Sequence, residues 1–398
     1  MTTRKLVIGC PGTGKTTYLI DLVSRIYDEN SFYLLTFSRA AAKEAMTKFY
    51  QRVEATDTLK SRFRTIHSLC MEMLGVKRRQ IMTIKDYANV MANIGLPITT
   101  AKKGQATVGN HLVEYVNRRE LSFKAPVWCP VPEEMLANYE AELAKYKKNS
   151  GKFSFTDLLK EAERKLSAGE IKIDIDYICI DELQDLSLLQ WKIVEHLVSG
   201  SKHAYLVGDA DQTIYTFAGA DSAPMLELAA KGYTVETLPQ SRRIPVKVHH
   251  YSQKVIGKVK DRLKPEYLPT RNSGFISTLS GLPELSRTIN KVTGSWFILG
   301  RTNYIIEKAQ NLMRSSIKGR DDIKFMTIHQ SKGLEADNVA VLTELPKKVI
   351  LNMELDNEYR LFYVAITRTK KRLVLVNPDD DSPYFVLEGG EYEKEIDA

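Results

Sequence analysis

Residues Gly9 to Thr17 read G-C-P-G-T-G-K-T-T, a spacing that can cradle phosphate. Gly9, Gly12 and Gly14 let the backbone turn successive N–H groups inward on phosphate oxygens. The positive end of a following helix would add to that field. The Lys15 ammonium can reach β- and γ-phosphates, and the Thr16 hydroxyl can ligate Mg²⁺. Cys10, Pro11, Thr13 and Thr17 complete the loop. A second chemical pair, Asp181-Glu182, follows the apolar run Tyr177-Ile178-Cys179-Ile180. Asp181 can hold Mg²⁺, mostly through water. Glu182 can orient and deprotonate an attacking water. Together the two segments predict a site for a nucleoside triphosphate with Mg²⁺.

Such groups need strands that end beside one another, and the sequence supplies them. Short β-type runs alternate with helical spacing at both ends of the chain, which predicts an α/β fold with parallel sheets. Strands are expected over 6–8, 32–37, 177–180, 204–207, 275–279, 296–299, 324–327, 339–342 and 373–376. Most are continuous apolar runs, as parallel strands buried on both faces require. From Met71 to Lys152 the strand signal fades into a helical pattern broken at Pro97, Pro126, Pro130 and Pro132. That stretch is studded with Lys77-Arg78-Arg79, Arg118-Arg119 and Lys145 to Lys148. The expected division is a first α/β domain from 1–70 and 153–237, a basic helical insertion at 71–152, a second α/β domain at 238–377, and an acidic tail at 378–398.

Charge and cysteine content narrow the class. The 398 residues carry a formal +8. Residues 378–398 hold eight acids against Lys394, a net −7 that leaves +15 on residues 1–377. A body that basic predicts a polyanionic partner, and the tail reads as a solvated end or a protein contact. Cys10, Cys70, Cys129 and Cys179 are far apart with no C-x-x-C pair, so they read as reduced, buried thiols rather than a zinc site. No apolar run approaches the length of a membrane span, and the N-terminus reads as a strand rather than a signal peptide, which together predict a cytoplasmic protein with no membrane partner.

Further blocks carry a resemblance. Thr36-Phe37-Ser38-Arg39-Ala40-Ala41-Ala42, Thr65-Ile66-His67-Ser68, Phe155-Thr156-Asp157-Leu158-Leu159 and D-E-L-Q-D at 181–185 occur in that order. Val207 to Ala220 reads V-G-D-A-D-Q-T-I-Y-T-F-A-G-A. Gln240-Ser241-Arg242-Arg243, Thr327 to Glu335 (T-I-H-Q-S-K-G-L-E) and Tyr363 to Arg368 (Y-V-A-I-T-R) follow. The series resembles superfamily 1 DNA helicases of the UvrD/Rep/PcrA type, and compact versions of this layout are similar to phage-encoded ones. The resemblance implies two RecA-like P-loop domains that close on one ATP and move 3′→5′ on single-stranded DNA, acting at single-strand/duplex junctions. It gives Gln212 the γ-phosphate contact, Arg243 and Arg368 the arginine-finger roles, and Glu335 a ribose-side contact. Phe37, Tyr215 and Phe217 fall where the family stacks rings on bases, with burial in the core as the alternative, for Phe37 in particular. Arg39, Thr65, His67, His329 and Lys332 fall in its DNA-contacting blocks, with His67 and His329 reading equally as polar contacts near the strand or as satisfied core histidines.

Departures from the pattern matter too. Only eight residues precede Gly9 in this sequence, so the family's adenine-reading glutamine motif is not expected. Arg242 stands where a stacking tyrosine is common, although a guanidinium can also stack on a purine. Ala218 replaces a frequent arginine. Between Arg301-Thr302-Asn303 and Thr327 there is length for a helix and a loop only, where larger members carry an accessory domain, so strand separation is expected to be weak or to need a protein partner. Three readings compete: a helicase, a translocase that displaces proteins and unwinds poorly, and a non-enzymatic DNA-binding module. The intact Lys15, Thr16, Asp181, Glu182, Gln212, Arg243 and Arg368 argue against the third. With 30 residues after Arg368, no nuclease domain is expected.

Overall fold

The computed structural model describes residues 2–28, 31–96, 98, 108–123, 132–317, 319–351 and 354–387. Cys129, Pro97, Pro126, Pro130 and the acidic tail from Glu388 lie outside them. Strands β1 (Thr3–Ile8), β2 (Phe32–Thr36), β3 (Phe63–Thr65), β4 (Ile175–Ile180), β5 (Ser201–Gly208) and β6 (Thr234–Thr237) form one sheet in the order β3-β2-β4-β5-β1-β6. β2 runs parallel to β3 and β4, and β4 parallel to β5. Leu34, Leu35, Ile178, Cys179, Leu206 and Val207 in the central strands are fully buried, which is why they read as continuous apolar runs. The carboxyl ends of β2, β4 and β5 deliver Phe37, Asp181-Glu182 and Asp209, where ligands gather in open α/β sheets.

A second sheet holds β7 (Phe275–Ser280), β8 (Trp296–Gly300), β9 (Ile323–Thr327), β10 (Ala336–Leu342) and β11 (Thr369–Asn377), in the order β7-β11-β10-β8-β9. Every pairing in it is parallel. Trp296, Ile298, Ala340 and Val374 pack with Leu285 and Ile289 of one helix and Ile305, Ala309 and Met313 of another to make its core. Between Arg301 and β9 stands the helix Asn303–Met313 and a connecting loop.

By internal contacts the chain forms two compact units: Met1–Val7, Lys15–Gly208 and Tyr215–Glu236, and then Ile8–Gly14, Asp209–Ile214 and Thr237–Ala398. The expected boundaries put Ile8–Gly14 and the turn Asp209–Ile214 in the first α/β domain, whereas by internal contacts these two segments group with the second unit and Lys15 onward stays in the first. Ser241 Oγ donates to Pro11 O at 2.9 Å, and Arg242 N to Gly12 O at 2.9 Å. Short-range pattern cannot reveal pairings made over more than two hundred residues. Cys10, Cys70 and Cys179 are buried thiols, and no helix among the described residues is long and apolar enough to cross a membrane.

Within the first unit, helices Ile84–Asn93, Val108–Ser122 and Glu133–Ser150 surround their own small core of Met82, Val90, Met91, Leu112, Val116, Tyr139 and Leu143. Asp86 pins this bundle. Its Oδ2 accepts from Thr83 N at 2.6 Å and Thr83 Oγ1 at 2.7 Å, capping the first helix. Its Oδ1 accepts from Tyr146 Oη at 2.5 Å and Lys152 Nζ at 2.6 Å, at the far end of the third. Burial pushes the Asp86 carboxyl up, but these donors outweigh it and hold it well below the usual carboxylate range. The Asp86 contribution is therefore complete above the unfolded value of about 4, and is lost as pH falls below it toward the depressed folded value. Asp86→Ala should cost about 2–3 kcal/mol at pH 7, the value of a hydrogen-bonded charge. Urea unfolding checks this: the gap between variant and parent should narrow in acid, and an unchanged midpoint at pH 7 would refute the pinning role.

Candidate functional site

The phosphate loop leaves β1 and enters the helix Lys15–Ile26, whose Leu19, Ile20 and Val23 are buried. Thr13 closes the loop on itself, its N and Oγ1 donating to Cys10 O at 3.2 and 2.8 Å. Gly12 and Gly14 have φ of +76° and +90°, a region that costs other residues roughly 1–2 kcal/mol. Gly12 has a second reason to lack a side chain. A Cβ there would lie 2.6 Å from Arg243 Cβ and 2.8 Å from Ser241 Oγ.

The acidic pair continues from β4. Thr16 Oγ1 donates to Asp181 Oδ2 at 2.6 Å, so the hydroxyl and carboxylate named as metal ligands are brought together. Burial, and then the charge of Glu182, push the Asp181 carboxyl up. A bound cation would relieve both effects. Among the described residues no cluster of three or more His, Cys, Asp or Glu could cage a metal. A hydroxyl plus one carboxylate suits Mg²⁺, which keeps several waters and takes oxygens from substrate phosphates. Glu182 has φ +54° and ψ +46°, an unusual left-handed backbone for a residue with a side chain. Gln184, fully buried, donates from Nε2 to Glu182 Oε2.

The turn after β5 carries Gln212. Its Nε2 donates to Asp209 Oδ2 at 2.8 Å, and its Oε1 accepts from Arg368 Nη2 at 3.0 Å. Arg368 is buried and also donates from Nε to Val364 O at 2.9 Å. Lys332 Nζ donates to Gln212 O at 2.9 Å, and His329 Nε2 lies 3.2 Å from Ile214 O. Burial, with Arg301 and Lys332 adding to it, pushes His329 down to about 4, so the neutral ring donates to that carbonyl. Arg243 Nε donates to Glu335 Oε2 at 2.8 Å, while Lys370 Nζ sits 2.9 Å from Glu335 Oε1. Burial raises the Glu335 carboxyl, and the bonds from Lys370 and Arg243 pull it below its ordinary value. Arg242 is exposed.

In the first unit an aromatic row follows. Phe37 stacks on Tyr215 with centroids 5.2 Å apart at 14°, and Tyr215 meets Phe217 edge-on at 6.1 Å. Phe37 and Phe217 are 40% and 44% exposed, which makes them surface rings and not core. Arg39 is exposed. Thr65 is buried, and its hydroxyl caps the next helix by accepting from Ser68 N at 3.2 Å. His67 lies edge-on to Phe155 at 5.6 Å. Burial and then Arg39 push its pKa down to about 4, so the ring is neutral at neutral pH.

The UvrD/REP helicase N-terminal domain matches residues 1–232, and the UvrD-like helicase C-terminal domain matches residues 270–378. This chain belongs to the UvrD/REP helicase family. It is similar to the "Probable DNA helicase II homolog" of Mycoplasma genitalium, 26% identical over 242 residues, 52% of this chain and 34% of that protein. It is similar to the "ATP-dependent DNA helicase Rep" of Buchnera aphidicola subsp. Baizongia pistaciae, 23% identical over 235 residues, 54% of this chain and 35% of that protein. The match to "DNA helicase IV" of Escherichia coli is 23% identical over 471 positions, 96% of this chain and 67% of that protein. The chain thus spans about a third of the length of the first two relatives.

The family blocks therefore converge in space within each unit: Thr16 on Asp181, Phe37 on Tyr215, and Arg368 on Gln212. Sequence reading did not anticipate Lys370 as the second cation on Glu335, nor Gln184 as the donor to Glu182. Lys370 carries no motif signal, whereas Gln184 stands inside D-E-L-Q-D and could have been asked for a partner. Gly12→Ala combines a left-handed backbone with two close contacts, so it should lower stability by at least about 1–2 kcal/mol. Thermal melting without nucleotide reads this directly, and an unchanged midpoint would mean that the loop relaxes freely.

Proposed function

We propose that this chain is an ATP-dependent DNA helicase that moves 3′→5′ along single-stranded DNA and couples ATP hydrolysis to duplex separation at single-strand/duplex junctions. The observation that carries the reading is the block 208–220. Within it Gln212 meets Arg368, and three residues further Tyr215 stacks on Phe37. One continuous stretch thus joins a phosphate-sensing group to a surface that bases can stack on. The names of the relatives, DNA helicase II homolog, Rep and helicase IV, support the same activity. The 3′→5′ direction rests on the D-E-L-Q-D, Q-T-I-Y-T-F and V-A-I-T-R blocks. The cytoplasm is the corresponding compartment.

In this mechanism Gly9 to Thr17 wrap the phosphates with backbone N–H groups, and Lys15 neutralises the β/γ region. Thr16 and Asp181 would hold Mg²⁺, which when bound would offset phosphate charge. Glu182 takes the proton of the attacking water, its carboxylate aimed by Gln184. Arg243 and Arg368 stabilise charge developing on the phosphoryl oxygens, an effect worth about 10³–10⁵ in rate for arginine fingers. Gln212 reports the γ-phosphate to Tyr215, and Arg242 and Glu335 face base and ribose. Phe37, Tyr215 and Phe217 stack on bases, while Arg39, Thr65, His67, His329 and Lys332 contact the strand. A second reading, a translocase that displaces proteins and unwinds poorly or with a protein partner, is favoured by the short connection in which, among the described residues, the helix Asn303–Met313 is the one regular element.

ATP turnover should be low alone and should rise strongly with single-stranded DNA. Unwinding should occur on 3′-tailed but not on 5′-tailed or blunt duplexes; the reverse preference refutes the direction, and turnover that DNA does not change refutes the coupling. Glu182→Gln should lower turnover by about 10²–10⁴ while keeping nucleotide binding, and Lys15→Ala should abolish turnover. Replacing both Tyr215 and Phe217 by alanine should cost about 2–6 kcal/mol of single-strand affinity, independent of base sequence and with the salt dependence unchanged. Affinity lost only in proportion to unfolded protein would instead make the rings structural.

A further inference from the structure

The turn that presents Gln212 is held by a side chain outside every block that carries the family resemblance. Arg262 donates from Nε to Asp211 Oδ1 at 2.9 Å and from Nη2 to Asp211 Oδ2 at 2.5 Å, a two-pronged grip on the residue next to Gln212. Both side chains are almost wholly buried, 7% exposed for Arg262 and 2% for Asp211. Burial works against the Arg262 charge, and the Asp211 carboxylate more than restores it. The arginine is itself fixed from below. Arg360, in the helix Leu355–Ile366, donates from Nη2 to Asp261 O at 2.7 Å, the carbonyl beside Arg262. That helix leads directly to Arg368, which binds Gln212 Oε1. One helix therefore sets both grips on the turn 209–212, through Arg360 and Arg262 on Asp211 and through Arg368 on Gln212.

A buried ion pair seldom adds stability over apolar side chains of the same volume, and its better-attested use is to specify one arrangement. A bidentate guanidinium–carboxylate pair fixes distance and orientation together. Building on the proposed ATPase, we propose that Arg262 and Asp211 are a positioning pair that fixes Gln212 against Arg368 for DNA-stimulated ATP hydrolysis. Neither residue touches nucleotide or DNA in this scheme. Their loss is felt in turnover because a misplaced Gln212 no longer links phosphate to Tyr215.

The test uses Arg262→Lys, which keeps the charge but loses the two-pronged geometry, and Arg262→Gln, which removes the charge. Arg262→Gln leaves the Asp211 carboxylate buried and unpaired. If that variant fails to fold, the double change Asp211→Asn with Arg262→Gln removes the stranded charge and retains hydrogen-bonding groups. In each folded variant, hydrogen exchange of the peptide covering 209–214 should speed up by about tenfold or more. DNA-stimulated kcat should fall by about tenfold to a hundredfold, as for an ångström-scale displacement. KM for ATP and single-strand affinity should stay within about twofold, because no binding contact is removed, and Arg262→Lys should recover part of the loss. Unchanged exchange at 209–214 overturns the proposal, as does a loss that appears in KM or follows the unfolded fraction. Failure of the ATPase reading would look different: the parent chain itself would show no DNA-stimulated turnover, while the exchange measurement would still decide whether Arg262 positions the turn.

Discussion

The bond from Thr16 Oγ1 to Asp181 Oδ2 ties the first turn of the helix after the phosphate loop to the end of β4. It can form only if β1 and β4 stop at matching heights in one sheet, with β5 between them. The buried strand residues set that height, because a slip of one residue would turn Ile178 and Ile180 to the opposite faces. The tips of the strands then inherit their positions: Phe37 after β2, Asp181 after β4, Asp209 after β5. Apolar packing deep in the sheet thus determines where a handful of polar groups emerge.

In the second unit the corresponding constraint is electrostatic. The helix Leu355–Ile366 is buried from Glu358 onward, charges included. Glu358 accepts three bonds from Arg301, at 2.9 to 3.1 Å. Arg360 and Arg368 are buried as well. Charge withdrawn from water demands fixed, well-shaped partners, so each of these groups dictates the position of a neighbouring loop. Arg301, Asp261 and Gln212 are placed by that demand and not by regular secondary structure.

Much of this was legible in the sequence because it is local. Strands such as Trp296–Gly300 announce themselves as apolar runs, and the phosphate loop by its glycines. Two strands were not expected, and both are sheet edges. β3 is only three residues long with Arg64 at its centre, and β6, Thr-Val-Glu-Thr, has no buried residue, so neither gives the apolar run that makes a strand readable. At the candidate site, residue types and order were legible, while partners were not. Lys370 on Glu335 and Arg262 on Asp211 join segments separated by 35 and 51 residues, with no periodicity to announce either. The grouping of the phosphate loop with residues near 241 was hidden for the same reason.

Glu182 shows where such a design sets two pressures against each other. Its left-handed backbone costs a side-chain-bearing residue on the order of 1–3 kcal/mol, a cost that glycine would escape. A change to glycine would therefore remove backbone strain together with the carboxylate. Variants chosen for thermal robustness alone would drift toward losing this carboxylate, and a screen that reads only folding would score the loss as an improvement. With Glu182 as the proposed base, engineering a hardier form of this chain calls for selecting on turnover and folding at once, since at this position the two would move in opposite directions.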